Sequence, residues 1–543
     1  TNGLPDTAKQ WAKGQSADFA PLIESFARGL NQWADEHKAE LSGPARAVLP
    51  LTPEDVYAHG LRVIHYDWVV SPTRLEGRLK RWEDEVHGSN EWAVAASRSA
   101  TGKALLMSNS HLQWGDMHTY FEVQLTAPGV TSYGAVWVGF PVLRQCFTEY
   151  VGWAQTTNNP AESDLYGIVE KDGGYVLDGQ VKPFDTHTET LKIRQADGSM
   201  KDEALTIRRT VHGPIVAERK GMPIAMRVAA LDRPKMFEQF WRMGLAKNFP
   251  EWETAMRMQQ LPLFNTAYAD RDGHIAYVYN STLWKHATGD YRFWQGVVPG
   301  DKSELIGTEI VPYDAIPKVA DPSTGWVQNS NDMPWTSVYP MVLDPTKFAP
   351  GFAAPQGITQ RAQRGIRILS GFTGKKMTFA DVKAGKLSTH VETADQFVDD
   401  LRQRGRGHEA DQRTQPLERG HTPRRIPEAG REDVAVGHEA DRRATSGAFS
   451  HQLGEGEHGR LAIAADVDDM AERRFGPREV GERPVARVGG LAGASIEARE
   501  EEEQLEVPHR ALVPGHPDVD RLAAVHDEAD LGFAIEFADL ASR

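Results

Sequence analysis

One boundary constrains this chain more than any other feature: near residue 402 its composition changes character. Residues 1–400 carry tryptophan and tyrosine throughout, with apolar runs broken by turn signals. After about 402, in "QRGRGHEADQRTQPLERGHTPRRIPEAGRED" and beyond, there is no Lys, Asn, Tyr, Trp or Cys. The last Lys is Lys386, the last Tyr Tyr339 and the last Asn Asn331. Dense charge with low hydrophobicity opposes folding. Losing Lys, Asn and Tyr together is also what a GC-rich gene yields in a shifted frame, because their codons are A/T-rich. Residues 402–543 are therefore expected to be a frameshift product, disordered or out of frame. A natural acidic, low-complexity tail is the alternative. Either way, a folded unit has to be built from the first 401 residues.

That unit is long enough to bury a large core, as one mixed α/β enzyme or as two domains. The net charge of −15 argues against nucleic acid as a partner. No stretch approaches roughly 18 continuous apolar residues, so no membrane span is expected. The one cysteine, Cys146, excludes an intramolecular disulfide. The opening "TNGLPDTAKQW" has neither an initiator Met nor a signal peptide, which suggests that the sequence starts inside a longer one. The repeated "GHEAD" offers His408, Glu409 and Asp411, but without two histidines at ligand spacing it reads as solvated charge. No metal or cofactor is expected.

Helices open the folded part. Phe19, Leu22, Ile23, Phe26 and Leu30 recur at three- and four-residue spacing, an amphipathic helix. A second helix begins at Thr52 as N-cap with Pro53 at its first position. From Ser89 strands take over. "EWAVAAS" and "GKALLMSN" flank a polar turn, and two further hairpins turn at Asp197-Gly198 and Asp272-Gly273. "MFEQFWRMGLAKNFPEWETAMRMQQ" reads as a helical insertion. Strand runs mixed with helical pairs, and no regular βαβ alternation, point to a layered α+β fold.

The candidate nucleophile is Ser89. No serine sits in G-x-S-x-G, the local signature of the α/β-hydrolase nucleophile. Ser89 instead follows Gly88 and immediately precedes a strand. That context suits a serine freed by peptide cleavage, whose own α-amine then serves as base. Such an amine has a reference pKa of about 7.7–8.0, so part of it is neutral near pH 7. On these residues alone the signal is weak, because Gly-Ser before a strand is ordinary loop punctuation.

Longer motifs decide between the two. "GSNEWAVA" followed by "GKALLMSNSHLQW" resembles the start of the β subunit in penicillin acylase-type N-terminal nucleophile hydrolases, closest to cephalosporin (glutaryl-cephalosporanic acid) acylases. The resemblance continues through "YGAVWVGFPVLRQCF", "DGGYVLDGQVKPF", "TVHGPIV", "FWQGVVPGD" and "GWVQNSNDMPW", over roughly residues 20–400. It implies a four-layer αββα core, incomplete at the C-terminus, and a precursor that cuts itself between Gly88 and Ser89. Residues 1–70 would then be part of an α subunit, 71–88 an excised spacer and 89–401 the β-subunit domain. Both chains would come from one precursor, exported to the periplasm or secreted.

The same resemblance assigns roles to residues. Ser89 would form the acyl-enzyme; Asn331 by its side-chain amide and Thr157 by its backbone N–H would stabilise the oxyanion. His111 would lie beside the nucleophile and tune proton transfer, and Arg361 would support the site. Tyr120, Trp137, Arg144 and Phe264 would line the acyl pocket, with Arg144 holding an acidic acyl group such as glutaryl. Trp137 departs from the family, whose cephalosporin acylases carry glutamine there, and it makes the pocket smaller or more apolar. Asp164 alone matches the acids that bind calcium in some relatives. No residue matches the carboxylate that orients the histidine, because that stretch would fall in the aberrant tail. The expected function is hydrolysis of the amide of a small acylated amine such as a β-lactam. An acyl-homoserine lactone acylase and an inactive, unprocessed scaffold are the alternatives.

Overall fold

A computed structural model describes residues 2–398, except 72–74, 77–87, 113–114, 128, 159, 161, 196, 350, 356 and 396, together with the strand Gly532–Glu536. The spacer expectation therefore falls mostly outside the described residues, and the "GHEAD" repeat lies wholly outside them.

The N-terminal part is helical: α1 (Leu4–Lys13), α2 (Ala20–Glu36), α3 (Gly43–Ala47) and α4 (Pro53–Val63). Thr52 caps α4 as its sequence predicts. Its hydroxyl accepts from the Asp55 N–H, and the Asp55 carboxylate accepts from the Thr52 N–H. This closes a capping box with Pro53 where no donor is needed. Beyond α4 the chain widens into a π-helical turn, Ile64–Val69. Trp11 ties α1 to the rest by donating its indole N–H to Leu231 O at 2.8 Å.

Two antiparallel sheets carry the centre. The first has the order β19 (Trp326–Asn329), β1 (Gly88–Val94), β2 (Leu105–His111), β20 (Gly532–Glu536). The second runs β18 (Lys318–Ala320), β16 (Ile275–Tyr279), β15 (Asn265–Asp270), β6 (Val151–Thr156), β5 (Gln145–Thr148), β4 (Val130–Trp137), β3 (Tyr120–Ala127). All three hairpins read from the sequence form: β1 with β2, β15 with β16, and the long exposed pair β11 (Asp185–Arg194) with β12 (Met200–Thr210). That last pair continues through β13 (Gly213–Arg219), β14 (Met222–Val228), β7 (Ser163–Gly167) and β17 (Val297–Pro299) as a third sheet. A small fourth sheet joins β8 (Glu170–Lys171), β9 (Gly174–Leu177) and β10 (Gln180–Lys182).

Strand alternation sorts the faces of β1. Ala93, with Leu106 across on β2, enters the main core that the first sheet shares with β6 and β15. Trp92 and Val94 point the other way, into a separate cluster with Leu369 and Val382 of two helices, α8 (Gln360–Gly371) and α9 (Phe379–Lys386). The far side of the second sheet meets α5 (Met236–Leu245), which is followed by α6 (Phe249–Met256). Between these and α8 lies the one-turn α7 (Tyr291–Trp294). Helices and sheets are thus mixed in one α+β unit, as expected.

Beyond residue 401 the structure describes one strand. Residues Gly532–Glu536 pair antiparallel with Asn109–Leu105 of β2. A sheet edge presents unpaired N–H and C=O groups, and the apolar run "GFAI" is the kind of segment that satisfies them. The remainder of the tail lies outside the described residues.

Candidate active site

Alternation on β1 gives Ser89 the same face as Glu91 and Ala93, toward the second sheet. The hydroxyl donates to the carbonyl oxygen of Gly88 at 2.7 Å, across the peptide bond that joins the two residues. On the same bond, the Ser89 N–H donates to Asn331 Oδ1 at 2.7 Å. The Ser89 carbonyl accepts from Arg361 Nη1, also at 2.7 Å. Both peptide units of a 3 %-exposed serine are therefore held by side chains.

His111 reaches this junction through Gly88. The register pairs Gly88 with His111 and Ser89 with Ser110. A Cβ on residue 88 would fall 2.0 Å from His111 Nε2 and 2.5 Å from Cδ2, so the imidazole occupies the space that only glycine leaves.

Asn331 sits at φ 64°, in the left-handed region that asparagine tolerates better than most residues. Its Oδ1 also accepts from Arg361 Nη2 at 2.9 Å, and its Nδ2 donates to Thr157 O at 2.8 Å. Ser89, Asn331, Thr157 and Arg361, drawn from four separate segments, thus form one connected network. Arg361, near the start of α8, also donates to Asn90 Oδ1 at 2.9 Å. Beneath them lies a residue that the sequence did not single out. Asn329 Oδ1 accepts from Asn331 N (2.7 Å), Thr156 Oγ1 (2.7 Å) and Asn265 Nδ2 (2.9 Å). Asp332, equally unremarked, accepts from both the N–H and the hydroxyl of Thr359. Burial pushes its carboxyl up to about 6, against the pull of the Arg361 cation.

Tyr120, Trp137, Arg144 and Phe264 come together as a second group. Tyr120 and Trp137 are directly opposite on β3 and β4, with ring centroids 5.4 Å apart. The Arg144 guanidinium lies 3.8 Å from the Phe264 ring centroid and 4.6 Å from that of Trp137, and it donates to Gln155 Oε1. Such cation–π contacts matter most where water is excluded, as here. Burial lowers Arg144 to about 10, so it remains a cation at neutral pH. Phe264 is held at φ 95°, with its N–H donating to Asn158 Oδ1 at 2.7 Å. Trp68, from the π-helical turn, stacks on Trp137 at 5.7 Å, and its neighbour Asp67 accepts from His118 Nε2 at 3.0 Å. Glu91, which the sequence did not single out, is wholly buried two residues beyond Ser89. Burial holds its carboxyl well above the usual carboxylate range, against the pull of the Ala267 backbone and the Arg144 cation.

Asp164 is engaged by protein groups: its Oδ2 accepts from Tyr166 OH at 3.2 Å and from His286 Nε2 at 3.0 Å. Among the described residues, His390, Glu392 and Asp395 bring three possible metal-ligand atoms together. The Arg367 guanidinium already pairs with both carboxylates, at 2.5 and 2.8 Å. It takes the place a cation would fill.

Comparison with known proteins gives the family of the chain. The family model described as penicillin amidase matches residues 1–433. The chain belongs to the penicillin amidase family. Its curated relatives include the acyl-homoserine lactone acylase PvdQ of Pseudomonas syringae pv. syringae (strain B728a), 26% identical over 438 residues, covering 74% of this chain and 53% of that protein. The acyl-homoserine lactone acylase QuiP of Pseudomonas syringae pv. tomato is 26% identical over 278 residues, 48% of this chain and 31% of that protein. The chain thus spans about half the length, or less, of the curated relatives it matches. Among solved structures, a thermostable penicillin G acylase from Alcaligenes faecalis aligns with a TM-score of 0.48 at 19% identity, covering 61% of this chain and 56% of that one.

Proposed function

We propose that this chain is the uncut form of an acylase, which cleaves itself between Gly88 and Ser89 and then hydrolyses the amide of a small N-acylated molecule. The observation that carries this is the 2.7 Å contact from the Ser89 hydroxyl to the Gly88 carbonyl oxygen. From there Oγ attacks the Gly88 carbonyl carbon and the C–N bond breaks, with the hydroxyl proton passing to the Ser89 nitrogen. Water then hydrolyses the resulting ester, leaving a carboxylate on Gly88 and a free amine on Ser89. That amine is the base that the uncut amide nitrogen cannot be.

In turnover, Ser89 Oγ takes the acyl group and water releases it. Asn331 Nδ2 and the Thr157 N–H serve as the oxyanion donors, each worth roughly 3–4 kcal/mol. His111, packed on Gly88, tunes proton transfer at the cut site. The two central sheets with helices on their outer faces are read as the four-layer αββα core. Residues 1–70 and the chain from Ser89 form the two subunits, with the intervening spacer removed and the tail after 402 a frameshift product. Export to the periplasm is part of the same reading.

Two acyl classes have support. The buried Arg144 cation favours an acidic acyl group on a β-lactam amine, as in cephalosporin-type substrates. The rings of Trp68, Trp137 and Phe264, and the acyl-homoserine lactone acylases among the relatives, favour an uncharged acyl chain on homoserine lactone. Glutaryl, phenylacetyl and octanoyl amides with a chromogenic amine separate them. Hydrolysis of one set, with the acyl mass trapped on the fragment that starts at Ser89, is the expected result. A cut chain that hydrolyses none of these, nor an acyl-homoserine lactone, would overturn the proposal.

A further inference from the structure

Asp332 has no part in the chemistry above, yet it is buried with both carboxylate oxygens engaged. It follows Asn331 directly, is 2 % exposed, and sends both carboxylate oxygens to one residue. Oδ1 accepts from the Thr359 N–H at 3.2 Å and Oδ2 from the Thr359 hydroxyl at 3.1 Å. Thr359 is the N-cap of α8, and its own Oγ accepts from the Ala362 N–H. The helix is therefore capped without help from a carboxylate. Burying an acid there has a cost, visible in the upward shift of Asp332 to about 6. Capping does not explain why a costly group occupies this position.

Its connections suggest why. On one side is the loop that presents Asn331. There Asn329 Oδ1 accepts from Asn331 N at 2.7 Å, and Asn329 Nδ2 donates to Asp332 O at 3.2 Å. On the other side is the first turn of α8, where Arg361 follows the cap by two residues. Arg361 contacts the Ser89 carbonyl, Asn90 and Asn331 at once, so a small slide of α8 misplaces all three bonds. Asp332 joins the two pieces.

We propose that Asp332 is a positioning residue of the Ser89 site, locking α8 to the Asn331 loop through Thr359 and so setting where Arg361 meets the nucleophile. This rests on the reading of Ser89 given above. The scale of the effect follows from the tolerance of such sites, where about 1 Å of misplacement can cost on the order of 100-fold in rate.

Asp332→Asn tests it with little change of shape, because an amide cannot accept from both Thr359 donors. Self-cleavage and kcat are expected to fall roughly 10-fold or more, with KM within about 3-fold and the melting temperature unchanged or raised. Thr359→Ser, which keeps both donors, is expected to stay near wild type. Hydrogen exchange supplies a readout independent of activity: in Asp332→Asn the peptides covering 328–332 and 359–363 should lose protection together. An Asp332→Asn variant that cuts and turns over within about 2-fold of wild type would overturn the proposal, as would losses that merely track its unfolded fraction. If wild type itself never cuts, the Ser89 reading fails, and exchange still decides: joint loss of protection supports the lock, unchanged protection refutes it.

Discussion

Gly88 and Ser89 make different demands on one peptide bond. Ser89 needs its hydroxyl within reach of the Gly88 carbonyl, and Gly88 must leave room for the His111 ring. Asn331 and Arg361 fix the serine's N–H and C=O while the bond is intact. Asp332 adds a pH signature to this arrangement. With its folded value raised from 3.8 to about 6, the folded chain holds a proton between those values that the unfolded chain has lost. Unfolding free energy should therefore fall as pH rises from about 4 to about 6, by at most on the order of 3 kcal/mol, and then level off. Arg361 on α8 opposes the shift, and Tyr277 on β16 also senses the charge. His65, buried and lowered to about 3, acts in the opposite sense, since its stability contribution is lost as pH falls below 6.5. Urea unfolding of wild type minus Asp332→Asn cancels His65; a flat difference between pH 4 and 7 would contradict the assignment. At this scale Ser89, Asn331, Thr157 and Arg361 were legible because each sits in a motif, and the structure joins them in one network. Asp332, Asn329 and Glu91 were not, because their importance lies in burial and long-range partners, which a polar run such as "QNSND" does not display.

Among elements, the π-helical turn Ile64–Val69 and α8 bring side chains to the two candidate-site groups. The Thr52 cap and Pro53 reveal α4 in the sequence, but nothing there signals the widening after Val63. That turn puts Trp68 on Trp137 and Asp67 on His118, joining the N-terminal helices to the group of Tyr120, Trp137, Arg144 and Phe264. Trp68→Ala should cost about 3–5 kcal/mol as a large core truncation. It should also shift the preferred acyl amide toward longer chains, because the removed ring leaves space against Trp137. A chain-length series read beside the melting temperature checks both parts. Unchanged preference would place Trp68 outside the pocket. The hairpins were readable from alternation, two of them also from Asp-Gly turns. The pairing of β1 between β2 and β19 was not, since Trp326–Asn329 lies more than two hundred residues away in sequence.

At the scale of the molecule, the change of composition near residue 402 is plain in the sequence, and beyond residue 398 the described residues are those of β20. The place of that strand follows from sheet physics: the edge of β2 accepts a strand of suitable character. The α+β class was legible because helical pairs interrupt strand runs without βαβ regularity. Which sheet faces which was not, because it depends on contacts such as those of β1 with β6 and β15. All of these levels converge on one bond. Purified full-length protein, run on a denaturing gel with N-terminal sequencing of each band, tests the central claim most directly. The account predicts a fragment beginning Ser-Asn-Glu-Trp in wild type, and in Ser89→Ala one uncut chain without amide hydrolysis. A wild-type chain that stays whole while hydrolysing acyl amides, or a Ser89→Ala variant that processes normally, would contradict it.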